Sequence, residues 1–297
     1  MVIYLKLRSI FKYNELYYFR KIILEIIEGS CLLSYPMNYD EIDIAIRIIK
    51  SEEKYIKVQG ISSIINILKT KSQNYKHKVC KLNSVCLYVL KDPDSYVFLN
   101  GIKLCTTMIM FTNSDLISIL CGEFLNEYET TDYRLNIGEA IIKTNQSSGS
   151  LCYKYKNMII NTFLRGCCDE KLEIRCSSFS NIAYICEALP YSMDIFFYEI
   201  MIILESTLAR YDSQLCKRGA IYLIYKISCG ITNNFFFFGN YMKDLYSLLN
   251  KASESNDPIV RIHAKKGLRK LSDSCAQQLF PNQIKNRIQF ESVLSTK

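Results

Sequence analysis

The sequence predicts an all-α fold built from repeated helical hairpins, and three observations support this prediction. Apolar residues recur at helical spacing through uninterrupted stretches of about 12 to 18 residues. The alternation of apolar and polar residues that marks half-buried strands, with turn residues every ~8 to 12 positions, is absent. Small residues also return at a regular interval inside the helix-length patterns. We therefore expect a helical array and not a β-sheet protein.

The repeat period is set by the small residue that lies one turn or more inside each predicted second helix. These residues are Gly60, Gly101, Gly138, Ser178, Ala220 and Ala264. Their successive separations are 41, 37, 40, 42 and 44 residues. A period of about 40 with two helices per unit is typical of HEAT and armadillo arrays. The sequence thus predicts a right-handed α-solenoid of about six HEAT/armadillo-type helical-hairpin repeats.

Helix starts and core positions agree with this period. Asp92-Pro93 and Asp257-Pro258 place a carboxylate at the N-cap and a proline at the first helical position, where its missing amide hydrogen costs nothing. A small residue at each crossing lets two helix backbones approach closely. Predicted core residues are Val58, Ile61, Ile65, Leu68, Ile182, Ile185 and Leu189 in second helices, and Val79, Leu82, Cys86, Val89, Tyr241, Leu245 and Leu248 in first helices.

Three segments are predicted along the chain. The repeat array is expected over residues 40–272. Residues 1–39 are expected to form an N-terminal helix or partial repeat that caps the array, and residues 273–297 a C-terminal tail. No secretory signal or transmembrane segment is expected, since even the most apolar stretch, residues 191–206, contains charged residues and falls short of the ~18 apolar residues that span a bilayer. Peripheral association with a membrane stays open.

Composition restricts the possible functions. The 13 cysteines are dispersed, odd in number and without a Cys-x-x-Cys pair, so neither a disulfide scaffold nor a zinc site is predicted. Free thiols packed in helices suit a reducing compartment, the cytosol or the nucleus. Two histidines, and no phosphate-binding loop or hydrolase motif, disfavour catalysis. We expect no enzyme activity, no cofactor and no small-molecule substrate.

Acidic residues at the predicted turns recur with arginines a few residues later. We interpret them as a candidate ladder of ion pairs between repeats, and Arg261 continues the pattern. The ladder comprises Asp132, Arg134, Asp169, Arg175, Asp212, Arg218 and Asp257. Exposed pairs of this kind contribute only ~0–1 kcal/mol each, and unpaired surface charges are the alternative.

The second helices of a solenoid form one long surface, and a protein partner is expected there. Candidate residues on this inner face are Glu139, Asn181, Arg261, Lys265 and Arg269. The last three share one side of a helix because they recur every four residues. This basic stripe leaves RNA binding as a third alternative. It is disfavoured because the net charge of +8 is modest and aromatic and basic residues do not interleave along one repeated face.

The order of several segments carries a family resemblance. These are LKDPDSYVFLNGIKLCTTM (90–108), TDYRLNIGEAIIKT (131–144), IRCSSFSNIAYICEAL (174–189), CKRGAIYLIYKI (216–227), DPIVRIHAKKGLRKLSD (257–273) and QLFP (278–281). In this order they resemble the C-terminal region of the Transport and Golgi organization protein 6 family, which includes a yeast factor linked to RNA polymerase II assembly and nuclear import. Since members are usually far longer, this chain looks like a fragment or a reduced form.

The resemblance implies an all-helical, HEAT-like scaffold without enzymatic activity. One family branch implies a role in protein secretion and Golgi organisation. The other implies an adaptor for RNA polymerase II assembly and nuclear import. Either role implies a cytoplasmic protein, associated with the Golgi in the first case and shuttling to the nucleus in the second.

Overall fold

The structure is a computed structural model, and only part of the chain is described. The described residues are 40–112, 115–147, 152–188, 194–209, 213–231 and 241–279. The predicted cap over residues 1–39 lies outside them, as do Leu189 and Asp212. The chain divides into two compact units, residues 1–43 and 44–297, and the architecture below is that of the second.

Twelve α-helices occupy the described residues and alternate as first and second helices of six hairpins. They are α1 (Glu41–Ile49), α2 (Lys54–Lys71), α3 (Val79–Leu90), α4 (Ser95–Thr112), α5 (Leu116–Leu125), α6 (Thr131–Ser147), α7 (Cys152–Gly166), α8 (Leu172–Ala188), α9 (Phe197–Ala209), α10 (Gln214–Ile231), α11 (Met242–Ser253) and α12 (Pro258–Leu279). Short 3₁₀ segments at Ser72–Lys78 and Asp194–Phe196 precede α3 and α9. Helix α12 continues past residue 272, where the array was predicted to end.

The second helices carry most of the packing between repeats. Helix α2 packs on α4, α4 on α6, α6 on α8, α8 on α10 and α10 on α12. First helices also contact one another, α5 on α7 and α7 on α9. Each hairpin therefore buries its apolar side against its neighbours, as an α-solenoid requires. The prediction of an all-α solenoid is confirmed.

Close helix crossings explain the recurrent small residues. A Cβ atom on Gly60 would lie 2.7 Å from Ile49 Cγ1 and 2.8 Å from the Ala45 carbonyl oxygen. On Gly101 it would lie 2.7 Å from Val89 Cγ1. At these positions the second helix touches the first helix of its own hairpin, and no larger residue fits without moving it. The equivalent Ser178, Ala220 and Ala264 are completely buried.

Most predicted core positions within the described residues are buried, but four are only half-buried. These are Ile65, Val79, Tyr241 and Leu248. The adjacent Ile64 and Leu249 are fully buried instead. A one-residue shift turns a side chain by about 100° around a helix, so neighbouring apolar residues compete for the same core position. Among the described residues, no helix combines the length and apolar character needed to cross a membrane.

Candidate partner-binding surface

Exposed side chains recur in register along the second helices. The second residue of each is exposed: Tyr55, Tyr96, Asp132, Glu173, Leu215 and Ile259. Seven residues later, nearly two turns on and so on the same side, lies a second row that is exposed or half-buried. This row is Ser62, Lys103, Glu139, Ser180, Tyr222 and Lys266. We call the surface that contains both rows the second-helix face.

The second-helix face lies on the opposite side from the first helices. Gly60 and Gly101 follow Tyr55 and Tyr96 by five residues, about 1.4 turns, and contact the first helices of their hairpins. The rings of Tyr55 and Tyr96 lie 6.2 Å apart between centroids. Equivalent residues of α2 and α4 are therefore adjacent in space, so the first row passes directly from one helix to the next there.

Large apolar side chains are exposed on this face, but exposure alone does not identify a partner surface. The second helices expose Tyr55, Tyr96, Leu99, Tyr184, Leu215 and Ile262. The first helices expose Tyr88, Tyr198, Ile202 and Tyr246 to a similar extent. Scattered exposed apolar residues are normal in folded proteins. What distinguishes the second-helix face is that consecutive helices present it as one continuous layer.

A buried ion pair joins α6 to the turn that precedes α8. The Arg134 side chain is 2% exposed and forms a salt bridge with Asp169, whose side chain is 8% exposed. Its Nη1 lies 3.4 Å from Asp169 Oδ1, and its Nε donates a 2.7 Å hydrogen bond to the Phe124 carbonyl. Asp169 Oδ1 also accepts the Lys171 amide at 2.9 Å. Both charges are removed from water, and their hydrogen bonds compensate for it only while both are present.

Similar ion pairs form at two other junctions between neighbouring repeats. Lys57 of α2 pairs with Asp92 in the turn before α4. Arg218 Nε of α10 donates a 2.7 Å hydrogen bond to Asp257 Oδ2 in the turn before α12, and Gln214 Nε2 donates to the same oxygen at 2.8 Å. The Lys57–Asp92 pair was not predicted, although the Asp92-Pro93 motif marks its position.

The remaining residues of the candidate ladder are not seen to form ion pairs between repeats in the described part of the chain. Asp132 is exposed on the second-helix face. Arg175 and Arg261 each donate from Nη1 to two carbonyl oxygens of the turn before their own helix, at 2.7 to 2.9 Å. Asp212 is outside the described residues. Between α8 and α10, Cys176 Sγ lies 3.3 Å from Cys216 Sγ.

The surroundings of Asp257 favour its ionised form. Burial alone would raise the pKa of this carboxyl. Hydrogen bonds from Gln214, Arg218 and the amides of Ile259 and Val260 outweigh burial and lower the pKa to about 2. Since the unfolded value is about 3.9, Asp257 stabilises the folded state above about pH 4, and this contribution is lost as the pH falls towards 2.

Replacing Asp257 with asparagine is expected to lower the free energy of unfolding by about 2 kcal/mol at pH 7, because a charged hydrogen-bond network becomes a neutral one. The difference from the wild type should shrink as the pH falls from about 4 to 2, because Asp257 of the unfolded wild-type chain takes up a proton over this range. Urea unfolding at several pH values measures both effects. Asp273→Asn, an exposed change on α12, is the control and should stay within ~0.5 kcal/mol. A pH-independent difference would contradict the prediction.

The candidate inner-face residues are not brought together. Glu139 lies on the second-helix face and pairs with Lys143, one turn along α6. Asn181 is only 7% exposed, and its amide nitrogen lies 3.4 Å from Ser177 Oγ. A Cβ on Gly138 would lie 3.1 Å from that same nitrogen, so Asn181 is packed between α6 and α8. Little of its surface is available to a partner.

The basic stripe of α12 is one residue out of register with the second-helix face. Lys265 and Arg269 are exposed, and Arg261 is held by its own turn. Lys266 belongs to the second row of the second-helix face, and the Lys265 side chain lies about 100° around the helix from that of Lys266. The stripe therefore lies on the side of α12 away from its buried residues. Among the described residues, Lys266 is the basic side chain that α12 adds to the rows of the second-helix face.

One family model and two curated proteins are similar to this chain. A family model described as "Required for nuclear transport of RNA pol II C-terminus 1" matches residues 42–151. The chain is 31% identical over 259 residues to Transport and Golgi organization protein 6 of Drosophila melanogaster, covering 86% of this chain and 28% of that protein. It is 26% identical over 186 residues to the RNA polymerase II assembly factor rtp1 of Schizosaccharomyces pombe, covering 62% of this chain and 24% of that protein.

The chain spans about a quarter of the length of these curated relatives. Among solved structures, Kap121p aligns with a TM-score of 0.53 at 13% identity, over 80% of this chain and 24% of that one. At such low identity the likeness concerns the fold alone. The resemblance of this chain to the Transport and Golgi organization protein 6 family, predicted from its ordered segments, is therefore confirmed, and it extends over most of the chain.

Proposed function

We propose that this protein is a non-catalytic scaffold that binds a protein partner through the second-helix face and serves in protein secretion and Golgi organisation. The continuous stack of second helices, with its recurring exposed rows, is the observation that carries the binding role. Stacked helices leave an extended surface that suits a macromolecular partner better than a small substrate. The similarity to the Drosophila relative over 86% of the chain supports the cellular role and a cytoplasmic location next to the Golgi.

A second candidate role is that of an adaptor for RNA polymerase II assembly and nuclear import. It is supported by the family model over residues 42–151 and by the Schizosaccharomyces pombe relative. Both roles use the same kind of surface and differ in the partner that occupies it. An adaptor of this kind would shuttle between cytoplasm and nucleus.

Paired surface variants test the binding role. Tyr55→Ser, Leu99→Ser and Tyr184→Ser together alter three exposed positions on α2, α4 and α8. Affinity capture from cells with quantitative mass spectrometry is expected to show at least a tenfold loss of specific partners, because apolar anchors at an interface each contribute 1 kcal/mol or more, roughly. Circular dichroism should show unchanged helicity.

The matched control alters three exposed tyrosines of the first helices, Tyr88→Ser, Tyr198→Ser and Tyr246→Ser. It should retain the partners. Equal capture by both triple variants would refute the proposed surface. Vesicle-transport proteins among the partners lost would support the secretory role, whereas RNA polymerase II subunits would support the adaptor role.

A further inference from the structure

A cluster of rings and an ammonium group joins the last two second helices on the second-helix face. The centroid of His263 in α12 lies 5.2 Å from that of Tyr222 and 6.0 Å from that of Tyr225 in α10. The rings of Tyr225 and His263 are nearly parallel, with 6° between their planes. Lys226 Nζ lies 5.7 and 6.0 Å from the two tyrosine centroids. This arrangement places a cation and three aromatic rings on one surface.

The histidine in this cluster acts as an aromatic ring and not as a charge. Burial lowers the pKa of His263, and the nearby Lys266 ammonium lowers it further. The imidazole is therefore neutral near pH 7, and its ring packs beside those of both tyrosines. Positive charge in this region comes from lysine and arginine alone.

The helices that carry the cluster are strongly basic. Helix α10 contains three basic residues and no acidic residue. Helix α12 contains five basic residues and one acidic residue, Asp273. Arg218 is neutralised by Asp257. In the described part of the chain, Lys266, Arg269 and Lys270 are exposed and make no salt bridge. By contrast, α6 carries two basic and two acidic residues.

Exposed apolar side chains border the cluster. Leu215 is 53% exposed, Ile259 40% and Ile262 51%. Ile262 precedes Lys266 by one helical turn, so both lie on the same side of α12. The surface therefore combines apolar residues at the N-terminal ends of α10 and α12 with rings and ammonium groups further along. We call Leu215, Tyr222, Lys226, Ile262, His263 and Lys266 the α10–α12 patch.

We propose that the α10–α12 patch docks an acidic peptide segment that also carries apolar side chains. The carboxylates would pair with Lys226 and Lys266 of the patch and with Lys270, one helical turn beyond Lys266 on α12. The apolar side chains would cover Leu215 and Ile262. Charge complementarity favours an acidic partner. The exposed aliphatic residues favour a peptide over a nucleic acid, which offers no aliphatic side chain to bury against them. The inference rests on the proposed function, because it specifies the chemistry that one part of the second-helix face recognises.

Fluorescence anisotropy with the full chain tests the proposal. The main probe is a labelled dodecapeptide of glutamate with leucine or phenylalanine at every third position. It should bind more tightly than a glutamate–serine dodecapeptide and a single-stranded RNA dodecanucleotide. The paired variant Lys226→Glu and Lys266→Glu should weaken binding of the main probe at least tenfold, since each reversal turns attraction into repulsion.

The control makes the same change in net charge on a first helix, with Lys243→Glu and Lys251→Glu, which are exposed on α11. It should alter binding less than threefold. If Lys226→Glu disturbs folding through its ring contacts, Lys266→Glu with Lys270→Glu provides an exposed alternative. Tighter binding of the RNA, no binding of the main probe, or an equal effect of patch and control variants would overturn the proposal.

Cellular capture with the patch variant separates this inference from the proposed function. Loss of partners in the Tyr55, Leu99 and Tyr184 variant but not in the patch variant would overturn the acidic-peptide site alone. Retention of all partners by both variants would overturn the proposed function as well.

Discussion

Replacing Arg134 with alanine is expected to lower the free energy of unfolding by about 3–5 kcal/mol, the range typical of removing one partner from a buried ion pair. The change would leave the Asp169 carboxylate buried without its counter-ion and the Phe124 carbonyl without its donor. It would also remove a side chain that is 2% exposed and lies against the Phe124 ring, 5.9 Å from its centroid. Urea unfolding followed by circular dichroism measures the difference.

Two further variants identify the cause of this loss. Lys143→Ala removes an exposed ion pair with Glu139 on the same helix and should cost less than ~0.5 kcal/mol. Asp169→Asn, added to Arg134→Ala, removes the unpaired charge and should recover about 1 kcal/mol or more. The unpaired buried charge is not the cause if Arg134→Ala lowers the free energy of unfolding no more than Lys143→Ala does. The same holds if adding Asp169→Asn to Arg134→Ala lowers it further instead of restoring part of it.

Replacing Gly60 with alanine is expected to destabilise the protein by about 1–3 kcal/mol, although alanine favours a helix by ~1 kcal/mol over glycine. The new methyl group would lie 2.8 Å from the Ala45 carbonyl oxygen and 3.0 Å from the Ile49 amide nitrogen. These are backbone atoms, so they can move away only if the two helices separate. Chemical unfolding of purified protein gives the sign and the size of the effect.

Gly122→Ala provides the opposite case. This glycine is exposed in α5, and a Cβ there would meet nothing within 4 Å. The substitution should stabilise the protein by up to ~1 kcal/mol through helix propensity alone. Should both alanine variants shift stability in the same direction, close helix packing would not be the reason for glycine at position 60.

Helix positions and the repeat period could be predicted because they depend on short-range properties of the chain. The proline that follows Asp257 starts α12, and Gly60 and Gly101 mark crossings because only a small residue permits them. Apolar residues at helical spacing then required neighbouring hairpins to bury one another. Fold class followed from these features without knowledge of any contact.

The partners of individual charges could not be predicted in the same way. Arg134 lies close in sequence to Asp132 but pairs with Asp169, 35 residues away. A predicted helix gives the direction of a side chain around its own axis but not the position of the turn that the next repeat brings to it. The long-range pairing is determined by how far each hairpin rotates on its neighbour.

The sequence by itself determined that this protein is a stack of helical hairpins, because amphipathic periodicity, caps and small crossing residues are local. Only the tertiary structure decided which side of each second helix stays open. That choice places Lys266, and not the equally exposed Lys265, in the rows of the second-helix face. It also buries Asn181 between α6 and α8 and brings the rings of Tyr222, Tyr225 and His263 into one cluster. The physical reason is that a rotation of about 100° per residue makes exposure depend on which neighbouring helix covers each side, and that depends on contacts between repeats.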